Sequence, residues 1–118
     1  VNNFGDNSTE EIANGIMKVL EVTKKKFSPQ TKIMLFGPLP TGLDPSTDRR
    51  KKYNKIHDLI KHLGIDKNVF YYNLINEFSD EKGFLKPDLF SQDGIHLLPE
   101  GYKVWGKFIR DNYFIATK

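Results

Sequence analysis

Apolar residues near the start of the chain recur at the spacing of an amphipathic helix, and a helix is predicted from about Ser8 to Phe27. Its buried stripe is predicted to consist of Ile12, Ile16, Val19 and Leu20. Ser8 and Glu11 have the spacing of a capping box, in which a hydroxyl and a carboxylate satisfy the free N–H groups at the helix start. The helix is expected to end before Pro29, because proline disfavours helical geometry in the residue that precedes it.

Two short, continuous apolar runs predict strands. The first spans Lys32–Phe36 and the second Val69–Leu74. Runs without polar alternation suit strands that are buried on both faces, as in a parallel sheet. The loop Gly37–Pro45 contains three prolines and two glycines. We expect it to be a structured turn at the carboxyl end of the first strand, the edge where open α/β sheets place their active sites.

Two further helices are predicted, from about Ser46 to Leu63 and from Pro99 to about Tyr113, with an irregular stretch Asn76–Gln92 between the second strand and the last helix. Gly64 is suited to end the helix that begins near Ser46, because glycine is common just after the last residue of a helix. Pro99 is suited to begin the last helix, because proline is favoured at the first helical position. The predicted inner faces are Tyr53, Ile56, Leu59, Ile60 and Leu63 in the second helix, and Tyr102, Trp105, Phe108 and Ile109 in the last.

The predicted order, α-β-α-β-loop-α, is typical of an α/β fold in which helices cover a parallel sheet. Two strands are too few to bury three amphipathic helices. We therefore expect the remaining strands to come from an upstream segment or from a second chain.

Composition narrows the class of protein. The chain has 118 residues, enough for one domain, and 38% hydrophobic, 13% aromatic and 28% charged residues are typical of a soluble globular protein. No apolar run is long enough to span a membrane. Cysteine is absent, which excludes disulfides and thiolate chemistry, and either a cytoplasmic or a secreted location is compatible with this composition.

Charge adds little to this picture. The net charge is +3, and much of the positive charge lies in the clusters Lys24–Lys26 and Arg49–Lys52, which we interpret as solvated helix surfaces. A nucleic-acid or anionic-surface binder is the least favoured hypothesis, because the basic faces carry no recognisable motif and no interleaved aromatic residues. His57 and His62 lie five positions apart, which does not suit a metal pair on a helix, and both are expected at the surface.

Asp93 and His96 are the candidate catalytic residues. They lie three positions apart, with Gly94 between them, just ahead of the last helix. A single turn can bring such a pair together, so that the carboxylate accepts the Nδ1–H of the imidazole. This bond fixes the tautomer and leaves Nε2 to take a proton from a nucleophile.

The run Asp93–Tyr102 resembles the last conserved block of the SGNH/GDSL hydrolases, D-x-x-H-L-[ST]-x-x-G-[YH], with Leu98 at the position of the usual Ser or Thr. The start of the chain resembles the family's third block, G-x-N-D, with Asn2 at the position of its Asn and Asn3 in place of Asp. Asn-Asn at that point and the run Lys32–Gly42 are similar to the catalytic subunits of platelet-activating-factor acetylhydrolase.

The resemblance implies a three-layer α/β/α flavodoxin-like fold, of which residues 1–118 would be the C-terminal part, with two strands and three main helices. It implies a Ser-His-Asp triad in which Asp93 and His96 meet a serine that lies upstream, and an oxyanion hole to which Asn2 contributes its side-chain amide. The substrate would be a small acyl ester, such as an acetylated lipid or carbohydrate, and no metal or organic cofactor is expected.

Two other features of the sequence bear on this assignment. Gly5-Asp6-Asn7-Ser8 is similar to a Gly-Asp-Ser nucleophile motif, but its serine is displaced by one position and is better explained as a helix cap.

The alternative to an esterase is a catalytically inactive fragment or subunit that acts in assembly or binding, since the small sheet would otherwise expose an edge. In either case the chain alone is expected to be inactive.

Overall fold

The computed structural model describes residues 7–117. The first helix, α1, spans Thr9–Lys26. Ser8 is its N-cap: the Ser8 hydroxyl accepts the N–H of Glu11 at 3.1 Å, and the Glu11 carboxylate accepts the N–H of Ser8 at 3.1 Å. The predicted capping box is therefore present, and the prediction that Ser8 is a helix cap is confirmed. The lysines of the last turn lie at the end of α1 where the helix dipole favours positive charge.

The sheet consists of two parallel strands, β1 (Ile33–Phe36) and β2 (Val69–Tyr72). Ile33 lies opposite Val69, and Phe36 lies opposite Tyr72. The strands were predicted to be buried on both faces, but every residue except Val69 is only half-buried. Within residues 7–117 each strand has one neighbour, and this leaves one edge of each uncovered.

The other helices connect and cover these strands. Helix α2 (Asp48–Ile60) begins at Thr47, whose hydroxyl accepts the N–H of Arg50 at 3.2 Å, and continues as a 3₁₀ turn over Lys61–Ile65. Gly64 lies inside this turn and so does not end the helix as predicted. The stretch predicted to be irregular contains a short helix, α3 (Ile75–Phe78), and the last helix is α4 (Pro99–Thr117). Among the described residues, no helix combines the length and apolarity needed to cross a membrane.

Helices α2 and α4 lie on opposite faces of the sheet. Tyr72 stacks on Phe36 at 5.2 Å between ring centroids and meets the ring of Phe108, on α4, edge to face. The neighbouring Tyr71 contacts His57, on α2. Because successive side chains of a strand point to opposite faces, the helices cover both sides of the sheet.

Two apolar clusters form the core. The cluster on the α4 side is centred on buried residues at the start of α3, within it and in the loop that follows it: Leu74, Phe78, Leu85, Leu89 and Phe90. Phe36, Trp105 and Phe108 pack against this group. On the other side, Tyr53 and Ile56 of α2 are fully buried and contact Ile12 and Ile16 of α1.

Four residues that were predicted to face inward do not. Tyr102 and Ile109 are exposed because the buried stripe of α4 runs through Gly101, Val104, Trp105 and Phe108 instead. Leu59 lies at the edge of the apolar face of α2 and is also exposed. Val19 is 67% exposed, since none of the described residues packs over that side of α1.

Candidate functional site

Asp93 and His96 lie on a tight turn between Ser91 and α4. The N–H of Gly94 donates to the carbonyl of Ser91 at 3.1 Å, and the N–H of Ser91 donates to the carbonyl of His96 at 2.9 Å. One carboxylate oxygen of Asp93, Oδ1, accepts the N–H groups of Ile95 and His96 at 2.8 and 3.1 Å. Short polar side chains stabilise turns in this way, by replacing backbone acceptors.

The second carboxylate oxygen of Asp93 contacts the imidazole of His96. Oδ2 lies 2.6 Å from Nδ1, and the two side chains are 43% and 76% exposed. An ionised carboxylate only accepts hydrogen bonds, so Nδ1 must carry the proton. In the neutral ring Nε2 is then the basic nitrogen, and it lies on an imidazole that solvent and other groups can reach. The side-chain contact expected from the spacing is therefore present.

The hydrogen bonds around Asp93 keep its carboxylate charged. The Ser91 hydroxyl donates to Oδ1, and this bond, together with those from the His96 ring and the two backbone N–H groups, holds the pKa of the Asp93 carboxyl well below its ordinary value. Asp93 is therefore ionised throughout the neutral range. It can orient the His96 imidazole and stabilise the imidazolium that forms when Nε2 accepts a proton.

Gly94 connects this turn to the loop that follows β1. It has φ +69°, which favours glycine, and a Cβ there would lie 3.0 Å from the backbone nitrogen of Leu43. The Gly94 carbonyl accepts two hydrogen bonds, from the N–H of Gly42 at 2.9 Å and from the hydroxyl of Thr41 at 3.0 Å. The loop that was expected at the carboxyl end of β1 thus packs against the turn that carries the candidate pair.

The other sequence-predicted site residues have different positions. Asn2 lies outside the described residues, and its assignment to the oxyanion hole stays a prediction. For the aromatic residues Phe84, Phe90 and Trp105, the sequence favours core packing over a role in lining the ester site. Phe90 is buried in the α4-side cluster and Trp105 packs against it, which confirms the core role for these two, whereas Phe84 is exposed and the core role predicted for it is wrong. Among residues 7–117 no group of three or more His, Cys, Asp or Glu side chains is arranged to hold a metal ion.

His57 and Arg50 were expected at the surface, and both predictions are wrong, since each is 3% exposed. They share the inner face of α2 with Tyr53, at spacings of three and four residues. A charged or polar residue in line with an apolar stripe is the signal that could have revealed them. His62 is exposed, as expected.

His57 is held as a neutral imidazole beneath the loop after β1. Nε2 lies 2.9 Å from the carbonyl of Pro38 and donates to it, so Nδ1 accepts the hydroxyl of Tyr71. Burial lowers the pKa of His57. The ring also fills the space beside Gly37, where a Cβ would lie 2.3 Å from it. His57 is therefore a packing residue of the sheet's carboxyl edge.

An apolar groove of about 530 Å³ lies between α1 and β1, away from Asp93 and His96. Its walls include Ile12, Ile16 and Val19 of α1 and Leu35 and Phe36 of β1. The groove is thus lined by the exposed flank of α1 and by β1, which, like β2, has one neighbour and one free edge in the described part of the chain.

Comparisons with known proteins identify the fold. No family model matches the chain, and no curated protein matches it by sequence. Among solved structures it is similar to the esterase domain of the ZfL2-1 ORF1 protein from the zebrafish ZfL2-1 retrotransposon, with a TM-score of 0.63, 22% identity, and coverage of 94% of this chain and 64% of that one.

A second similar structure is a protein from Streptococcus pneumonia provisionally described as a platelet activating factor, with a TM-score of 0.67 and 22% identity. The match covers 93% of this chain and 54% of that one, so the chain spans less than two thirds of the length of either neighbour. The likeness predicted from the sequence is therefore confirmed at the level of the fold: this chain has a mixed α/β fold similar to that of an esterase domain.

Proposed function

We propose that this chain is the C-terminal part of one SGNH/GDSL hydrolase domain with a three-layer, flavodoxin-like α/β/α architecture. The chain aligns over more than nine tenths of its own length with 64% and 54% of the two solved structures, which supports a larger complete domain. The free edge of β1 and the apolar groove beside it supply a place for a further strand of the same sheet. Burial of that edge would also cover Val19, which is exposed here.

The proposed activity is hydrolysis of an acetyl or other short acyl ester. The observation that carries it is the 2.6 Å contact between Asp93 Oδ2 and His96 Nδ1 in a fold shared with esterases. An upstream serine would attack the ester carbonyl while His96 Nε2 accepts its proton. The imidazolium would then protonate the leaving alcohol, and water activated by the same nitrogen would hydrolyse the acyl-enzyme.

Two groups of this chain act electrostatically in this scheme. Asp93 remains ionised and stabilises the imidazolium of His96 without itself accepting the proton. Asn2 donates its side-chain amide to the tetrahedral oxyanion, together with backbone N–H groups of the upstream segment. The substrate is proposed to be a small acetylated lipid or carbohydrate, and the esterase described among the structural neighbours supports the ester class alone.

The test compares p-nitrophenyl acetate hydrolysis by the longer protein, this chain with its upstream segment, and by single-residue variants of it. His96→Ala is expected to lower kcat by several orders of magnitude, and Asp93→Asn by about 10⁴-fold, because Asn favours the wrong imidazole tautomer. Asn2→Ala is expected to cost about 10²–10³ in kcat. His62→Ala is the matched control, since it removes an exposed histidine elsewhere in the chain and should leave kcat unchanged. Undiminished hydrolysis by His96→Ala would refute the assignment.

The alternative, an inactive subunit that acts in assembly, is favoured by the apolar groove beside the free edge of β1. The two functions differ in one measurement. An esterase gains activity when the chain is combined with its upstream segment, and that activity is lost in His96→Ala. An assembly subunit binds the same segment without hydrolysing the ester.

A further inference from the structure

Arg50 is a buried cation that binds main-chain carbonyls of two loops. Its Nε donates to the carbonyl of Thr41 at 3.1 Å, Nη2 to the carbonyl of Gly42 at 2.8 Å, and Nη1 to the carbonyl of Gly83 at 2.6 Å. Burial of a charge is costly unless hydrogen bonds compensate it. The rigid, planar guanidinium satisfies three acceptors at once, and in doing so it fixes the loop after β1 relative to the loop after α3.

The loop held by Arg50 in turn holds Gly94. Gly42 and Thr41, whose own carbonyls accept from Arg50, donate their N–H and hydroxyl to the Gly94 carbonyl. Arg49 Nε donates to the Thr41 hydroxyl oxygen at 3.0 Å, which leaves the hydroxyl proton to point toward Gly94. A continuous set of hydrogen bonds therefore runs from α2 to the carbonyl of Gly94, the residue that follows Asp93.

The location of Gly94 makes this set relevant to the site. Gly94 lies between Asp93 and His96, and its positive φ turns the chain so that the carboxylate and the imidazole meet. We propose that Arg50 and Thr41 are positioning residues, which fix the Gly94 peptide and thereby hold Asp93 Oδ2 against His96 Nδ1. The catalytic consequence of this inference rests on the proposed function, whereas its structural consequence does not.

Thr41→Val and Thr41→Ser form the matched pair for the test. Valine keeps the shape of threonine but removes the hydroxyl that donates to Gly94, and serine keeps the hydroxyl. The tautomer of His96 is read from the ring ¹⁵N shifts in long-range ¹H–¹⁵N spectra at a pH where the ring is neutral. We expect the Nδ1–H form to predominate in the native chain and in Thr41→Ser. In Thr41→Val its ratio to the Nε2–H form is expected to fall about tenfold, the effect of one hydrogen bond.

Kinetics of the longer protein provide the second readout. Thr41→Val is expected to lower kcat about tenfold with an unchanged KM, because the positioned imidazole acts in the transition state and not in substrate binding. Thr41→Ser should keep the native kcat. Arg50→Met is expected to have a larger effect, and Arg50→Lys should not restore the native tautomer ratio, since an ammonium cannot match three carbonyls in one plane.

The outcomes separate this inference from the proposed function. If Thr41→Val keeps the native tautomer ratio of His96 and the native kcat, the positioning role is overturned. If Thr41→Val and Thr41→Ser lower the tautomer ratio and kcat equally, the effect comes from packing, and the positioning role is overturned as well. Circular dichroism of each variant checks that it is folded; if Arg50→Met does not fold, the Thr41 pair decides alone. A tautomer shift in Thr41→Val, in a protein without esterase activity, upholds the positioning role and refutes the proposed function.

Discussion

Two glycines of α4 should respond in opposite ways to the same substitution. Gly101 is buried where α4 packs against Leu89, in the segment that precedes Asp93. A Cβ on Gly101 would lie 2.5 Å from the carbonyl oxygen of Leu89 and 2.6 Å from a methyl group of Leu97. That carbonyl accepts the N–H of Leu98 at 2.8 Å and so cannot turn away freely. At Gly106 the nearest atom would be 3.5 Å away, at the end of the flexible Arg110 side chain.

The distances set the expected magnitudes. For Gly101→Ala the helix and the backbone of Leu89 must separate by almost 1 Å to restore ordinary contact, and overpacking of this kind costs about 1–3 kcal/mol. The higher helix propensity of alanine offsets up to about 1 kcal/mol of this cost. Because one of the opposing atoms is a backbone oxygen, the cost of overpacking lies in the upper part of its range, at about 2–3 kcal/mol, and the net loss of unfolding free energy is about 1–2 kcal/mol. Gly106→Ala gains the propensity without the clash, and about 0.5–1 kcal/mol of added stability is expected.

Urea unfolding of the chain measures both values, with the fluorescence of Trp105 as the probe, since it is the single tryptophan and packs against the core. With a slope of about 1–2 kcal/mol per molar urea, the midpoints of the two variants should differ by about 1 M or more, on either side of the native value. If both variants shift the midpoint in the same direction, the close packing of Gly101 on Leu89 does not make alanine destabilising at position 101, and the reasoning is refuted.

Three further predictions concern the capping box, a buried histidine and the turn of the site. Ser8→Ala should lower the unfolding free energy by about 1 kcal/mol, because it removes the hydroxyl that caps α1 by accepting the N–H of Glu11. Ser28→Ala removes only a long hydrogen bond of 3.3 Å in an exposed turn and should change the unfolding free energy by less than about 0.5 kcal/mol; equal effects in urea unfolding would contradict this. Burial lowers the pKa of His57, so below the ordinary histidine pKa of about 6.5 the unfolded chain binds a proton more readily at this residue than the folded chain does. The urea midpoint should therefore fall as the pH drops from about 7 toward 5. His57→Gln should flatten this decline while the exposed control His62→Gln should not, and an unchanged slope in His57→Gln would assign the decline to other groups. Gly94→Ala should lower the unfolding free energy by about 1–2 kcal/mol, because alanine is strained at φ +69° and its Cβ would press on Leu43, in the loop after β1. A native urea midpoint would show that the turn relaxes without cost.

Local signals in the sequence predicted the local parts of the structure. The capping box at Ser8 depends on residues three apart, and so does the contact between Asp93 and His96. Both are present. The parallel pairing of the strands follows from their continuous apolar runs and from the helix between them. These features need no knowledge of distant segments.

The features that sequence reasoning missed depend on distant backbone. Nothing in the composition of α2 shows that Arg50 meets the carbonyls of residues 41, 42 and 83, because those acceptors are brought together by the fold. The burial of His57 depends likewise on Pro38 and Tyr71. In α4, the apolar character of Ile109 suggested a buried position, but the close approach of Gly101 to Leu89 sets the rotation of the helix.

The candidate pair and the free edge of β1 have separate structural requirements. The bonds that hold Asp93 and His96 come from residues 41–42 and 91–96, and Arg50 fixes the first of these segments from within α2. None of these residues lines the groove beside β1. An upstream strand would therefore complete the sheet at one place while the carboxylate and imidazole are already aligned at another. Because the two are independent, the proposed function implies that an upstream segment would bring its serine to an imidazole that is oriented beforehand. Little of the binding free energy would then be needed to order that imidazole.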